Sequence, residues 1–268
     1  MSALTFSLKK PLQFAINCAA LTPDTLAKLP LSDIGAITLY HGKEAMRVDA
    51  LFTLSGNDSA DLCFKNSSAQ LNYLGANMRS GRMVIEGDAG AYLGFSMQGG
   101  ELHCLGNTQS FAACNMKNGQ IVIDGNTGDF LGGAAAGLRK GMLGGTVLIK
   151  GDAGDRVGDQ MRRGLILIEG NAGEYCGSRM LAGTVGVLGK VGNYAGFAMR
   201  RGTLLLTTQP DLHPSMQYCG QHTLPFLTLL FKSFGPYSKP FANLTSLRAE
   251  RYLGDSANQG VGEILVIR

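Results

Sequence analysis

The sequence predicts a mainly β chain built as a right-handed parallel β-helix of about 19-residue glycine-rich repeats, and three observations carry that prediction. First, a methionine followed three residues later by glycine recurs seven times: Met78 with Gly81, Met97 with Gly100, Met116 with Gly119, Met142 with Gly145, Met161 with Gly164, Met180 with Gly183, and Met199 with Gly202. The spacing from one methionine to the next is 19 residues at every step but Met116 to Met142, which is 26 and so carries a seven-residue insertion within Gly132 to Gly144. Second, the positions two and four after each glycine hold only apolar residues or a thiol: Met83 and Ile85, Leu102 and Cys104, Ile121 and Ile123, Val147 and Ile149, Ile166 and Ile168, Val185 and Val187, Leu204 and Leu206. Period two with one strict face is the signature of a strand. Third, a second glycine column (Gly87, Gly106, Gly125, Gly151, Gly170, Gly189) follows each strand, mostly with Asp or Asn next, as in Asp88, Asn107, Asn126, Asp152 and Asn171. These pairs form turns and supply positive φ. One short strand per repeat cannot bury its apolar face alone. Stacked turns bury it, with parallel strands about 4.8 Å apart. Nineteen residues are too few for two helices and their turns, which excludes a helical solenoid.

In chain order, residues 1–58 are expected to form an N-terminal α+β extension, with LPLSDIGAITLYHG as its clearest element. Residues 59–208 form the β-helix, and Leu62 to Asn66 read as a degenerate earlier turn without the methionine. Within each strand the middle column (Val84, His103, Val122, Leu148, Leu167, Gly186, Leu205) is mixed, so it is expected to face outward and to be partly covered. The methionines are read as fillers of an irregular apolar corner rather than as a metal or redox path, since the thioether is flexible and polarisable. Residues 209–268 are a cap or docking segment. Thr223 to Phe234 is expected to form a short helix that either closes the open end of the stack or docks another subunit, because an open end exposes unpaired strand edges.

Composition excludes several functions. Apolar residues make up 45% of the chain and charged residues 16%, so a sizeable core is available and disorder is excluded. The 38 glycines do not recur every third residue, which excludes collagen. A formal charge of +4 is too small to argue for nucleic acid. The most apolar segment, Leu224 to Phe231, is too short to span a bilayer. The N-terminus shows no export signal, so a cytoplasmic location is expected, with the six cysteines reduced and none paired as C-x-x-C. Cys104 and Cys176 fill slots that are apolar in other turns and read as inert buried thiols. No phosphate-binding glycine motif occurs. The four histidines, His41, His103, His213 and His222, form neither H-x-H nor H-E-x-x-H, and Gly-x-Ser-x-Gly is missing. The chain is therefore expected to carry no catalytic residues, no metal and no cofactor of its own.

The polar feature that stands out is basic. The two positions after the methionine hold Arg79, Lys117, Arg162, Arg163, Arg200 and Arg201, and Arg179 precedes its methionine. In a stack of turns these residues share one edge, with Arg162 and Arg200 two turns, about 10 Å, apart. One reading is a solvated edge paired with Asp155, Asp159 and Glu174. The other is a binding site for a carboxylate-rich ligand or an acidic subunit surface, at Arg162, Arg163, Arg179, Arg200 and Arg201, since guanidinium groups suit bidentate carboxylate recognition.

The stretch Gly145 to Val185, GTVLIKGDAGDRVGDQMRRGLILIEGNAGEYCGSRMLAGTV, closely resembles the C subunit of formylmethanofuran dehydrogenase and its relative, the C subunit of the bacterial formyltransferase/hydrolase complex. More distantly it resembles the C-terminal domain of the glutamate synthase large subunit. The resemblance covers residues 60 to 268, with Ala113, Gln109 and Thr208 departing from the glycine pattern. The ending, YCGQHTLPFLTLLFKSF and RYLGDSANQGVGEILVI, looks like the formyltransferase/hydrolase version. The resemblance implies a structural subunit in one-carbon metabolism, within a complex that moves a formyl group from tetrahydromethanopterin to a methanofuran-type carrier and releases formate. Its partners would be the hydrolase, the formyltransferase and further subunits, and the hydrolase metal and carrier would belong to the complex. It also implies that a polyglutamate chain of the carrier could meet the arginine edge. Two alternatives remain open: the C subunit of a tungsten or molybdenum formylmethanofuran dehydrogenase, and an independent β-helix enzyme acting on carbohydrate, which needs acids gathered on one face.

Overall fold

Each methionine–glycine unit leads into one short strand: Arg82–Gly87, Glu101–Cys104, Gln120–Ile123, Thr146–Ile149, Leu165–Ile168, Thr184–Val187 and Thr203–Leu206. In a computed structural model, which describes residues 2–268, these strands pair in parallel and in sequence order. The register aligns equivalent residues across the turns: Met83, Leu102, Ile121, Val147, Ile166, Val185 and Leu204 are successive partners. The connections pair as well, through parallel bridges linking Ala89, Thr108, Thr127, Ala153, Ala172 and Val191. The chain is mainly β, and its large sheet has thirteen strands.

Both ends of this sheet are closed by strands from outside the repeats. At one end Asp58–Ser67 and then Ala3–Leu8 continue the parallel order, and Phe52–Ser55 adds antiparallel. At the other, Gly262–Ile267 pairs in parallel with Thr203–Leu206, and Arg248–Gly254 and Gln217–Thr223 follow antiparallel. A four-stranded sheet of Glu44–Arg47, Thr38–His41, Ile16–Asn17 and Leu71–Asn72 lies alongside the first turn.

All seven methionines are fully buried in one continuous core, with the two strict apolar columns and with Leu4, Phe6 and Phe64 from the first strands. Gly164 shows why glycine follows them. Its φ is +106°, and a Cβ there would lie 2.8 Å from the carbonyl oxygen of Gly145 one turn below. An L side chain is strained in that region, and the close approach leaves it no room. The corner glycines differ from the expectation. Only Gly87 of that column has a positive φ. At Gly170 the reason is contact alone, since a Cβ would sit 2.5 Å from Gly151 O. The Asp and Asn that follow are used between turns. Asp88 Oδ1 accepts from Asn107 N at 2.7 Å, and Asn107, Asn126, Asp152 and Asn171 repeat the bond upward at 2.7–2.8 Å, ending on Lys190 N.

A further column was not anticipated. Five residues before most methionines stand Tyr73, Tyr92, Phe111, Tyr175 and Tyr194, and Phe130 holds the same place before the insertion. Their φ values are all between 57° and 68°. Tyr73, Tyr92, Phe111 and Phe130 stack ring on ring with centroids 4.7–4.9 Å apart, close to the strand spacing. Arg156 takes the next place and lies over both Phe130 and Tyr175, 5.9 and 4.5 Å from their centroids, so a cation–π contact continues the ladder.

The middle strand column divides in two. Val84, His103 and Val122 are half-buried, whereas Leu148, Leu167, Gly186 and Leu205 are buried. What buries them is the C-terminal segment. The helix Phe226–Ser233 and the short helix Lys239–Ala242 bring Leu227, Phe231, Phe234 and Phe241 onto the flank of the sheet. The C-terminal helix therefore covers a side of the stack and not its open end. The end is closed by the strand Gly262–Ile267. At Gly186 a Cβ would meet the Phe241 ring at 2.7 Å, so the glycine in this column is the seat of that ring.

Candidate functional site

From Met97 onward the residue after the methionine hangs from the preceding turn by a backbone hydrogen bond: Gln98 N donates to Met78 O, Lys117 N to Met97 O, Leu143 N to Met116 O, Arg162 N to Met142 O, Leu181 N to Met161 O, and Arg200 N to Met180 O. The methionine is anchored in the core, so its two successors are presented on the outer edge in strict order. Along that edge Arg162 stands between Leu143 and Leu181, and Arg163 between Gly144 and Ala182. Large cations thus alternate with shorter side chains, and the alternation opens two clefts.

The first cleft, of about 430 Å³, is lined by Lys140, Leu143, Arg162, Arg163, Leu181 and Ala182. The second, of about 260 Å³, is lined by Gln160, Arg179, Leu181, Ala198, Arg200 and Asn258. Leu181 is shared, so the two meet at one apolar ridge. Among the described residues, no carboxylate lines either cleft. Among the same residues, Arg162, Arg163, Arg200 and Arg201 make no ion pair and no side-chain hydrogen bond. Asp155 accepts from Glu174 N at 2.8 Å and Glu174 from Asn193 at 3.3 Å, and among the described residues neither forms an ion pair with the edge.

Arg179 is different. Its Nε reaches Asp159 Oδ1 at 2.9 Å and its Nη2 reaches Oδ2 at 2.5 Å, while Ser178 Oγ donates to the same carboxylate at 2.7 Å. Asp159 is buried, so this bidentate bond fixes the guanidinium as a wall of the second cleft and offsets its charge. The bond to Asp159 also pushes the Arg179 pKa up. Arg201 is exposed and lines neither cleft. Sequence reasoning missed Lys140, Gln160 and Asn258. The signal for Lys140 was the insertion itself, since the one break in the 19-residue spacing carries a lysine to the mouth of the first cleft.

Arginine, lysine and amide side chains line the clefts, with neither a histidine nor an acid among the lining residues described. The histidines lie apart: His41 stacks on Phe14, His213 bonds Ser215 Oγ at 2.7 Å, and His222 bonds the Cys219 carbonyl. His103 is half-buried and shares Asp124 Oδ1 with Lys150, at 3.0 and 2.8 Å. Burial pushes the Asp124 carboxyl up, but the Lys150 and His103 bonds outweigh it and hold its pKa below the ordinary range. Burial pushes the thiols of Cys18, Cys114 and Cys176 up to about 12 and that of Cys104 to about 11. Among the described residues, no group of three or more His, Cys, Asp or Glu is placed to hold a metal ion, and no helix is long and apolar enough to cross a membrane.

A parallel stack of glycine-marked turns with a row of unpaired arginines along one edge defines a glycine-repeat protein. Residues 57–217 match the GXGXG motif family, and the chain belongs to that family. Over 98% of its length it is similar, at 34% identity and a TM-score of 0.93, to 99% of a chain in the formyltransferase/hydrolase complex (FhcABCD) of Methylorubrum extorquens, solved with methylofuran. It is also 30% identical over 95 residues to the C subunit of the tungsten-containing formylmethanofuran dehydrogenase 2 of Methanococcus maripaludis. With the C subunit of the molybdenum-containing formylmethanofuran dehydrogenase 1 of Methanothermobacter thermautotrophicus it shares 34% identity over 88 residues. The matched stretches span 35% of the first of these curated relatives and 22% of the second.

Proposed function

We propose that this chain is the non-catalytic structural subunit of a formyltransferase/hydrolase complex, which transfers a formyl group from formyl-tetrahydromethanopterin to a methanofuran-type carrier and releases formate. The observation that carries the reading is the similarity over 98% of the chain to a chain of FhcABCD. The stack is a right-handed parallel β-helix in this reading, a rigid body along which hydrolase, formyltransferase and further subunits are held. The carrier and the hydrolase metal belong to the assembled complex. Arg162, Arg163, Arg200 and Arg201, with Arg179 as a fixed wall, form the contact edge toward carboxylates of a partner or of the carrier. Methionines and glycines of the repeat are structural.

Coexpression with the sister subunits tests this. A stable complex that contains zinc without tungsten or molybdenum and releases formate supports the proposal, as does the single chain giving no turnover. The second reading, a dehydrogenase subunit, is favoured by the matches to tungsten and molybdenum enzymes. Tungsten or molybdenum in the purified complex would establish it instead. A carbohydrate-active enzyme is disfavoured because the corner residues Asp88 and Asp152 are engaged as acceptors between turns.

A further inference from the structure

The two clefts share a geometry that selects among the possible occupants of the arginine edge. Arg162 and Arg200 occupy the same column two turns apart, about 10 Å, with Leu181 between them. An extended peptide advances about 3.3 Å per residue and points alternate side chains to one face, so positions i, i+2 and i+4 face the edge together over about 13 Å, a span that flexible arginine and glutamate side chains bring to the roughly 10 Å of the column. A carboxylate in the first cleft would meet Arg162, Arg163 and Lys140, and one in the second would meet Arg200, beside the Asn258 amide that Asp255 Oδ2 holds at 3.0 Å. Between them the ridge is apolar, formed by Leu181 and flanked by Leu143 and Ala182. A free polyanion has nothing to place there.

The first cleft is a built feature. Its lysine comes from the one insertion in the stack, and the insertion is pinned on both sides: Gly141 N donates to Gln160 O at 3.0 Å and Met142 N to Gly132 O at 2.8 Å. In the second cleft Asp159 holds Arg179 back, which leaves Arg200 as the free cation among the described residues.

We infer that the paired clefts bind an extended acidic protein segment with two carboxylates four residues apart and an apolar residue midway between them on the same face, contributed by a partner chain. The inference rests on the reading of this edge as a contact surface and narrows it to one kind of partner. Guanidinium–carboxylate pairs supply the anchoring, and the apolar residue packs on Leu181.

The test is fluorescence anisotropy of the full chain with a labelled peptide containing Glu-Ser-Leu-Ser-Glu. Four comparison peptides are used: one with both glutamates changed to glutamine, one with the glutamates adjacent, one with serine in place of leucine, and tetraglutamate. We expect the Glu-Ser-Leu-Ser-Glu peptide to bind tightest, and binding to fall as salt rises to about 0.5 M. Arg162→Gln and Arg200→Gln should each weaken it about tenfold, the loss of one charge-assisted pair. Lys117→Gln, on the same edge outside the clefts, should change it less than about twofold. Leu181→Ser should remove the preference over a peptide with serine in place of leucine. Equal or tighter binding of tetraglutamate or of the adjacent-glutamate peptide would overturn the inference, as would Arg162→Gln and Arg200→Gln binding like the parent. Copurification of the sister subunits with the same variants reads the subunit assignment separately, so each idea fails by a different measurement.

Discussion

Gly164 lets the two reasons for a repeat glycine be measured apart. At Gly164 both apply: φ is +106°, and a Cβ would lie 2.8 Å from Gly145 O. At Gly137, φ is +82° and nothing lies within 4 Å, so alanine meets backbone strain alone. At Gly170, φ is ordinary and a Cβ would sit 2.5 Å from Gly151 O, so alanine meets contact alone. Strain at a positive φ costs about 1–3 kcal/mol. Forcing a methyl group into a packed contact costs about 1–3 kcal/mol. Alanine regains about 0.4–1 kcal/mol by restricting the unfolded chain. Gly137→Ala should therefore cost about 1 kcal/mol, Gly170→Ala about 1–2, and Gly164→Ala about 2–4. Gly164→Val should cost more, since its branched Cβ adds a second clash. For a chain of this size each kcal/mol moves the melting temperature by about 2–4 °C, so Gly164→Ala should melt roughly 5–15 °C lower. Arg163→Ala, at an exposed and unpaired position, should stay within about 0.5 kcal/mol. Thermal unfolding followed by circular dichroism ranks the variants. If Gly164→Ala melted no lower than Gly137→Ala, close stacking of the turns would not be what excludes a side chain there.

Replacing Arg162, Arg163, Arg200 and Arg201 together by glutamine should leave melting nearly unchanged, because none forms an ion pair, yet weaken partner or carrier binding in a way that shrinks at high salt. Unchanged assembly and turnover at low salt would make the edge an ordinary solvated surface. Asp255 is buried and accepts from Ala198 N and Ala257 N, each at 2.9 Å, and from Asn258 at 3.0 Å. Burial pushes its pKa up, but these bonds and one from Ser215 outweigh burial and hold it down. Its stabilisation is therefore complete above the unfolded value of about 3.9 and is lost as pH falls through the lower folded value. Asp255→Asn should be less stable by about 1–3 kcal/mol at neutral pH, and the gap should close below about pH 4 in parallel melts; a gap constant with pH would show that the charge plays no part. Cys18, Cys104, Cys114 and Cys176 are buried and Cys63 and Cys219 half-exposed, so a thiol reagent should titrate two cysteines in the native chain and six after unfolding. Fast native labelling beyond two would mean the core opens readily.

Features that depend on spacing along the chain were legible in the sequence. The methionines, the glycines after them and the two apolar columns follow from a fixed period, because every turn imposes the same demand at the same place. The aromatic ladder obeys the same period and was overlooked because Arg156 interrupts it, and an arginine does not look like a ring until it is seen lying on two. The C-terminal helix was legible as a helix but not as a side cover. Its own sequence gives an apolar face and says nothing of where that face lands. The receiving surface had left a trace, since the middle column turns from Val84, His103 and Val122 to Leu148, Leu167, Gly186 and Leu205. The arginine edge was legible as a column. The clefts were not, because they depend on which side chains are short in neighbouring turns and on where the insertion returns.

The parallel order of the sheet has a metric consequence. Eight strands, from Asp58–Ser67 to Thr203–Leu206, follow one another in sequence order, and seven steps of about 4.8 Å set the first and last roughly 34 Å apart. Each turn touches only its neighbours. Removing or duplicating one turn would therefore shift whatever is held at the two ends by a single quantum of that length, while the C-terminal helices, which lie across Leu148, Leu167 and Leu205, would have to reseat. The chain is a ruler graduated in turns, and distances between bodies mounted on it are open to adjustment by whole graduations and to nothing finer.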